Sequence, residues 1–221
     1  MTEGAIVLVS GGMDSLVAAA ISLREYKPYF LHIRYGQRTE QRELKAFIDI
    51  ADYYKVEDRM VIELTHFKKI GGSSLTDTDM QVPESLSKTG IPNTYVPFRN
   101  ANLLSIAVSW AEVIGVKKIF IGATDEDSAG YPDCRKTFYQ AYNQLIREGT
   151  RSGDIVIETP IIDMNKIRII KLGTELNAPF SLTWSCYQNE DLACGKCDSC
   201  RRRLKAFKEA GVEDPLIYMD I

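Results

Sequence analysis

Short apolar runs alternate with longer amphipathic stretches along most of the chain, and glycine-rich or polar turns separate them. Runs rich in β-branched and aromatic residues predict buried strands at residues 5–9, 29–34, 59–64, 118–122 and 154–158. Apolar residues at helical spacing predict helices at residues 16–25, 38–54, 100–114, 136–148, 166–176 and 201–210. The stretches 65–95 and 123–135 show neither period, so they predict long loops.

This alternation of strands and helices predicts an α/β fold with a doubly wound parallel sheet, Rossmann-like in its layers. Ligands of such sheets bind beyond the carboxyl ends of the strands. The rule places residues 10–15, 35–38 and 123–135 at one edge of the sheet. We expect residues 1–180 to form a nucleotide-binding α/β domain, and residues 181–221 to form a cysteine-rich segment with the last helix.

Charge and composition narrow the possible partners. Of 221 residues, 45% are hydrophobic, and 27 basic against 30 acidic side chains give a net charge of −3. A weakly acidic chain does not favour nucleic acid as a partner, and the basic run at 201–203 with Lys205 fits a solvated helix face. No apolar stretch reaches the ~20 residues of a membrane span. We therefore expect a cytoplasmic protein with neither a membrane nor a nucleic-acid partner.

The turn after the first predicted strand indicates a phosphate site. Glycine lets the backbone approach an anion, and the first N–H groups of the following helix point at it. The turn lacks the Gly-Lys-Ser/Thr of a Walker A loop, and an ordinary glycine-rich turn is the alternative. The nucleotide-binding candidates in this turn are Val9, Ser10, Gly11, Gly12, Met13, Asp14, Ser15 and Leu16.

Four cysteines near the other end are spaced as ligands of one metal ion. Cys186, Cys194, Cys197 and Cys200 follow a Cys-x7-Cys-x2-Cys-x2-Cys pattern, which favours a closed, structural Zn²⁺ site. A four-iron cluster and disulfides are the alternatives. Cys134 stands apart, and we interpret it as a small buried apolar residue.

Other polar candidates follow predicted strands or precede predicted helices. Tyr35, Gln37 and Arg38 come after the second strand and are candidates for contact with a nucleotide. Arg99 directly precedes the predicted helix at 100–114 and Lys166 begins the one at 166–176, and each has the charge to neutralise phosphate. A surface turn and surface ion pairs are the alternatives.

The loop at residues 123–135 is rich in carboxylates. Carboxylates bind Mg²⁺ or accept hydrogen bonds from the ring N–H groups of a purine-like substrate, although each alone is equally typical of a solvated surface. The substrate-binding candidates are Asp125, Asp127, Tyr131, Asp133 and Arg135, with Phe98 as a stacking partner.

The loop from Ser10 to Ser15 resembles that of the PP-loop ATP pyrophosphatases. Later blocks, in the same order, resemble one family of that group, the 7-cyano-7-deazaguanine synthases of queuosine and archaeosine biosynthesis. The blocks are Tyr-Gly-Gln-Arg at 35–38, Ile-Pro-Asn-Thr-Tyr-Val-Pro at 91–97 with Arg99-Asn100, Gly-Tyr-Pro-Asp-Cys-Arg at 130–135, Thr159-Pro160 with Lys166, and the four cysteines. The chain departs from the family pattern at Phe98, Ala129 and Trp184-Ser185.

The resemblance implies an adenine nucleotide α-hydrolase-like fold with structural zinc, ATP as substrate and Mg²⁺ beside it. It implies that 7-carboxy-7-deazaguanine is adenylated, that free ammonia gives an amide, and that a second ATP drives the amide to the nitrile. Asp14, Ser15, Arg99 and Lys166 are then the catalytic candidates. We also expect a homodimer. The alternatives are another PP-loop enzyme (a tRNA sulfur transferase or an amide-forming synthetase) and, last, a zinc module that binds nucleic acid.

Overall fold

Five short strands lie where the sequence is most apolar. The computed structural model describes residues 2–83, 90–124 and 130–219. Within them, the strands are β1 (Gly4–Leu8), β2 (Lys27–Arg34), β3 (Arg59–Glu63), β4 (Lys118–Ile121) and β5 (Val156–Glu158). They form one parallel sheet in the order β3-β2-β1-β4-β5. The predicted doubly wound parallel sheet is confirmed, and each strand begins and ends within two residues of its predicted position.

Helices connect the strands and cover the sheet. They are α1 (Met13–Ser22), α2 (Glu40–Tyr53), α3 (His66–Ile70), α4 (Arg99–Ile114), α5 (Lys136–Gly149), α6 (Lys166–Glu175) and α7 (Asp198–Ala210), with short 3₁₀ turns at Pro132–Cys134 and Phe180–Leu182. α3 lies inside the predicted loop 65–95 and was not predicted. Its single buried side chain, Phe67, packs edge-on against Tyr35, and one turn of helix is too short to show a period.

Alternate residues of β1 enter two separate cores. Ala5 and Val7 pack with α1, α2, α6 and α7 on one face, whereas Ile6 and Leu8 pack with α4 and α5 on the other. Strands covered on both faces read as continuous apolar runs, which is why the sequence revealed them so clearly.

The strand order reverses at β1, which lies between β2 and β4. Leu8, at the end of β1, is level with Leu31 of β2 and Ile121 of β4. The chain leaves β1 toward one helix layer and β4 toward the other, so a crevice opens beyond these ends. The expected binding edge is therefore present at this position.

α7 packs on the main core. Ala206 and Phe207 belong to the same apolar cluster as α1 and α6, and the Phe207 ring meets the Phe180 ring edge-on at 5.3 Å. The division of the chain at residue 180 remains a prediction. No helix within the described residues is long and apolar enough to cross a membrane.

The prediction of a solvated basic face on α7 is wrong at Arg203, whose side chain is fully buried. Its guanidinium pairs with Asp214 at 2.9 Å and donates hydrogen bonds to the Thr183 hydroxyl and the Phe180 carbonyl. A buried guanidinium persists only when a carboxylate and polar acceptors surround it. Asp214 lies eleven residues further along the chain, so no local pattern announced this pair.

Candidate active site and cysteine centre

The glycine loop between β1 and α1 is held by its own serines. Ser15 donates from Oγ to the Gly12 carbonyl at 2.9 Å, and the Ser10 hydroxyl lies 3.1 Å from Ser15 Oγ. The Gly12 N–H donates to Ser10 Oγ at 3.3 Å. Gly11 has φ +89°, and a Cβ there would lie 2.8 Å from the Glu43 carbonyl oxygen. Glycine is therefore required at Gly11 both for its backbone conformation and for the close approach of α2.

A second glycine lets β4 meet the start of α1. A Cβ built on Gly122 would lie 2.6 Å from the backbone of Asp14 and from the Ser15 nitrogen. Real Cβ atoms do not approach backbone this closely, so any larger residue would displace the helix start. Gly122 therefore fixes the position of the loop relative to the neighbouring strand.

Asp14 and Lys166 form an ion pair beside the loop. Lys166 Nζ lies 2.6 Å from Asp14 Oδ2, and the two side chains are 13% and 22% exposed. Lys166 is the first residue of α6, where the Asn165 side chain caps the helix by accepting from the Arg168 N–H. A cation at a helix N-terminus is unfavourable for the helix dipole, and the Asp14 carboxylate offsets that cost. The pair fixes the position of the Lys166 ammonium at the crevice.

On the other side of the crevice, the Arg99 side chain packs against Tyr35. Arg99 Nη1 donates to the Tyr35 hydroxyl at 2.8 Å, and its guanidinium lies over the Tyr35 ring. Burial raises the pKa of Tyr35 to about 12, so its hydroxyl stays neutral. Burial alone would lower the pKa of Arg99. The electrostatic attraction of the Tyr35 and Asp133 side chains is larger, so the pKa of Arg99 is raised. The guanidinium therefore stays charged at the cavity wall.

Gln37 and Thr39 hold the carboxylate of Glu43. Gln37 Nε2 donates to Glu43 Oε2 and Thr39 Oγ1 donates to Glu43 Oε1, both at 2.9 Å. Gln37 is itself fixed, because its Oε1 accepts the Tyr35 N–H at 2.9 Å. Burial raises the pKa of Glu43 to about 7, against the opposing hydrogen bonds of Gln37 and Thr39. This carboxyl group therefore exchanges its proton near neutral pH.

Arg38 binds backbone rather than a side chain. Its guanidinium donates to the carbonyls of Ser74 at 2.6 Å and Asp77 at 2.8 Å, and also to Met80. These bonds attach the segment after α3 to the rim of the crevice. Any contact of Arg38 with a nucleotide stays a prediction.

Asp133 contacts the start of α4. Its Oδ2 accepts the Asn100 N–H at 2.8 Å, and its carbonyl accepts from Asn100 Nδ2 at 3.0 Å. Asn100 Nδ2 also lies 3.4 Å from Cys134 Sγ. The carboxylate thus satisfies a helix N-terminal donor, and no local spacing predicted this contact because the partners are 33 residues apart.

One cavity of about 290 Å³ connects most of these groups. All four catalytic candidates line it, as do most of the loop residues, Tyr35, Gln37, Arg38 and Tyr131; Gly11 and Leu16 do not line it. Of the other substrate candidates, Asp133, Arg135 and Phe98 do not line it, whereas Asp125 and Asp127 lie outside the described residues. Phe98 and Arg135 are exposed at the ends of α4 and α5. Lining residues that sequence reasoning did not assign to the site include Thr39, Glu43, Leu103, Trp184, Asp198 and Arg202.

The four cysteine sulfurs converge. All lie within 4.8 Å of one another, all four residues are buried, and none is in a disulfide. Backbone N–H groups point at two of them: Cys194 N lies 3.4 Å from Cys186 Sγ, and Cys197 N lies 3.3 Å from Cys194 Sγ. Such donors favour thiolates, which are the form that binds metal. The four sulfurs are therefore close enough together to hold one metal ion.

Trp184 connects the cysteine cluster to the glycine loop. Its backbone N–H donates to the Gly11 carbonyl at 2.9 Å, and its buried ring packs in the same apolar cluster as the four cysteines and Ala46. The Arg42 guanidinium covers the ring at 4.4 Å. The cysteine-rich segment thus supports the glycine loop from behind.

A glycine loop at the switch point of a parallel sheet, with cations facing it, defines a nucleotide-binding α/β protein of the PP-loop class. Solved structures with this fold include NMN synthetase from Francisella tularensis, at 15% identity and a TM-score of 0.53 over 96% of this chain and 79% of that one. The U34-tRNA thiolase NcsA from Methanococcus maripaludis matches at 13% identity and a TM-score of 0.52, over 94% of this chain and 64% of that one. These likenesses show the fold alone.

Sequence relatives identify the family. The family model described as "Queuosine biosynthesis protein QueC" matches residues 4–211. A protein of Chloroherpeton thalassium, named 7-cyano-7-deazaguanine synthase, is 57% identical over 97% of this chain and 96% of its own length. One of the same name from Koribacter versatilis is 54% identical over 98% of this chain and 94% of its own. The chain belongs to the QueC family.

Proposed function

We propose that this protein is an ATP-dependent 7-cyano-7-deazaguanine synthase. It converts 7-carboxy-7-deazaguanine and ammonia into the nitrile through adenylated intermediates, as part of queuosine or archaeosine formation. Membership of the QueC family and the names of relatives above 50% identity support this activity. The observation that carries it in the molecule is the meeting of the glycine loop, Lys166 and Arg99 at one cavity.

The loop and its cations suit adenylation. The substrate carboxylate attacks the α-phosphorus of ATP, a new P–O bond forms, and pyrophosphate leaves into the loop from Ser10 to Ser15. Lys166 and Arg99 neutralise the charge that builds on the phosphates, which is electrostatic and positioning work rather than covalent catalysis. We assign an accompanying Mg²⁺ to the carboxylate of Asp14, which lines the cavity; the ion would screen phosphate charge.

The deazapurine ring is assigned to the other side of the cavity. Tyr131 lines it, and its hydroxyl lies 2.7 Å from Thr94 Oγ1. Stacking on such a ring is worth about 1–3 kcal/mol per base. Asp125 and Asp127 remain candidates for the ring N–H groups. Asp133, Arg135 and Phe98 remain proposed substrate contacts, although they do not line the cavity.

We infer that the cysteine centre holds one Zn²⁺. Tetrahedral Zn–S bonds of ~2.3 Å place sulfurs roughly 3.8 Å apart, and Cys194 Sγ and Cys200 Sγ are separated by 4.0 Å. A four-iron cube gives each thiolate its own iron, so its ligand sulfurs stand further apart. Four cysteines complete the coordination, so the ion has a structural role. Elemental analysis showing iron and sulfide would overturn this assignment.

Partners and location are proposed on the same basis. A net charge of −3 supports small-molecule substrates over nucleic acid, and reduced, metal-binding cysteines support the cytoplasm. Free ammonia as nitrogen source and a homodimer complete the proposal. Light scattering tests the oligomeric state, and glutamine in place of ammonium tests the nitrogen source.

Product analysis tests the activity. The purified protein is incubated with ATP, ammonium and 7-carboxy-7-deazaguanine, and the products are identified by mass. We expect the nitrile, with AMP and pyrophosphate formed twice per nitrile. An amide that is never dehydrated would indicate an amide-forming synthetase, and absence of substrate-dependent AMP would overturn the proposal.

A further inference from the structure

Glu43 presents a carboxylate to the cavity from the first turn of α2. Its two donors, Gln37 and Thr39, are neutral and buried, at 4% and 2% exposure. The backbone N–H of Glu43 bonds the Thr39 carbonyl at 2.9 Å, so both ends of the residue are fixed. The hydrogen bonds therefore fix the position of the carboxylate, and the neutral donors do not cancel its charge.

The charges that face Glu43 leave it free to exchange a proton. The positive charge of Arg99, on α4, favours the ionised form of Glu43. The negative charge of Glu40, on the same helix as Glu43, disfavours it. Glu40 is itself paired with Arg34, and the Arg99 guanidinium bonds the neutral Tyr35 hydroxyl. Within the residues that the structure describes, no cation lies within ion-pair distance of the Glu43 carboxylate. A carboxyl group in this setting accepts a proton at neutral pH and can release it again.

We propose that Glu43 is the proton acceptor for the nitrogen substrate at this site. The inference rests on the proposed function, which requires a nitrogen nucleophile and then the removal of hydrogen from that nitrogen. Ammonium has no lone pair, so it must lose a proton before it attacks.

In the first step, ammonium passes one proton to the Glu43 carboxylate. The released lone pair forms a C–N bond at the adenylated carboxyl carbon, a further proton leaves nitrogen with the departing AMP, and the C–O bond to AMP breaks. Glu43 then gives its proton to solvent. In the second step, the amide oxygen attacks the α-phosphorus of a second ATP, pyrophosphate leaves, and one of the two N–H protons of the amide passes to solvent. The Glu43 carboxylate takes the other N–H proton, that electron pair becomes the third C–N bond, and the C–O bond to AMP breaks.

The test separates adenylation from nitrogen chemistry. Pyrophosphate exchange into ATP, dependent on 7-carboxy-7-deazaguanine and without ammonium, reports adenylation alone; AMP release with saturating ammonium reports the nitrogen steps. In Glu43→Gln, we expect the ammonium-dependent rate to fall 10²- to 10⁴-fold more than the exchange rate, the usual contribution of a general base. Equal losses in both assays, or no loss in either, would overturn the proposal.

Two further variants sharpen the result. Thr39→Val removes one hydrogen bond that favours the ionised Glu43, so the low-pH fall of the ammonium-dependent rate should move to higher pH; an unmoved profile overturns the proposal. Glu190→Gln is the control, because Glu190 accepts from the Gln41 N–H at the start of α2 and does not line the cavity. It should keep both rates within threefold. If the wild type itself shows no substrate-dependent exchange, the proposed function fails first.

Discussion

Asp14 and Lys166 are separated by 152 positions in sequence and meet at 2.6 Å. The pair is mostly shielded from water, so its attraction is stronger than that of a surface ion pair. With Asp14 in place, the Lys166 ammonium is oriented before any phosphate arrives. The pair therefore organises the positive side of the cavity in advance.

Asp14→Ala and Ser10→Ala should abolish pyrophosphate exchange while the chain still folds. The melting temperature should fall more in Asp14→Ala, because that change removes the carboxylate opposite the largely shielded Lys166 ammonium. Removing one preorganised charge or donor from such a site typically costs a factor of about 10²–10³ in rate. Lys136→Met is the matched control, because its ion pair with Asp163 is largely exposed. Near-normal exchange in both loop variants would contradict the loop assignment.

Glu43 should also make stability depend on pH. Its pKa is raised to about 7 in the folded chain from an ordinary value of 4.5, so the folded state binds more protons between these two values. Stability from this group therefore falls as pH rises from about 4.5 to about 7. The gain in stability of Glu43→Gln over wild type should be larger at pH 8 than at pH 5. Urea denaturation at both pH values measures it; a gain that is independent of pH would refute the buried-acid assignment.

Among the elements, the end of β4 and the start of α1 approach each other closely at Gly122. Gly122→Ala should weaken ATP binding at least tenfold, because its Cβ would lie 2.6 Å from the Asp14 backbone and push the loop aside. Gly149→Ala, at the end of α5, is the control; a Cβ there meets nothing within 4 Å. Calorimetric titration of ATP into both variants checks this, and equal affinities would show that the loop absorbs the added group.

The contact between Asp133 and α4 separates two roles for one residue. Asp133→Asn keeps the shape but removes a charge that favours the helix N-terminus, so stability should fall by about 1 kcal/mol. If Asp133 also shapes the substrate side, the KM for the deazapurine rises while ATP affinity stays within a few-fold. Thermal unfolding and steady-state kinetics measure the two effects separately, and a loss of ATP affinity alone would contradict the substrate assignment.

The sequence predicted elements better than contacts between them. Buried strands such as β1 carry their period in their own residues, and the loop from Ser10 to Ser15 carries its function in consecutive ones. The sequence did not reveal the roles of Arg203 and Glu43, because each is buried by residues that are far away in the sequence. Glu43 did carry one local sign: it follows Thr39 by four residues at a helix start, where the two side chains meet.

At the scale of the whole molecule, the cysteine centre and the nucleotide loop form one unit through Trp184. Cys197→Ser should release the metal and lower the melting temperature, since metal binding is coupled to folding. ATP affinity should fall with it, because the backbone N–H of Trp184 donates to the Gly11 carbonyl. Elemental analysis should find one Zn²⁺ per wild-type chain, and Cys134→Ser, outside the cluster, should keep it. Metal loss without a change in ATP affinity would show the two sites to be independent.

The strand order also sets the sequence of events during synthesis. β1 pairs with β2 early, but its other neighbour, β4, is complete only at Ile121. At about 5–20 residues per second, on the order of ten seconds pass before β4 is made. During that interval one edge of β1 lacks its partner, an arrangement prone to pairing with other chains. The second edge of β1 is therefore covered only after Ile121 has been made, and the glycine loop is supported from behind only once Trp184 has followed.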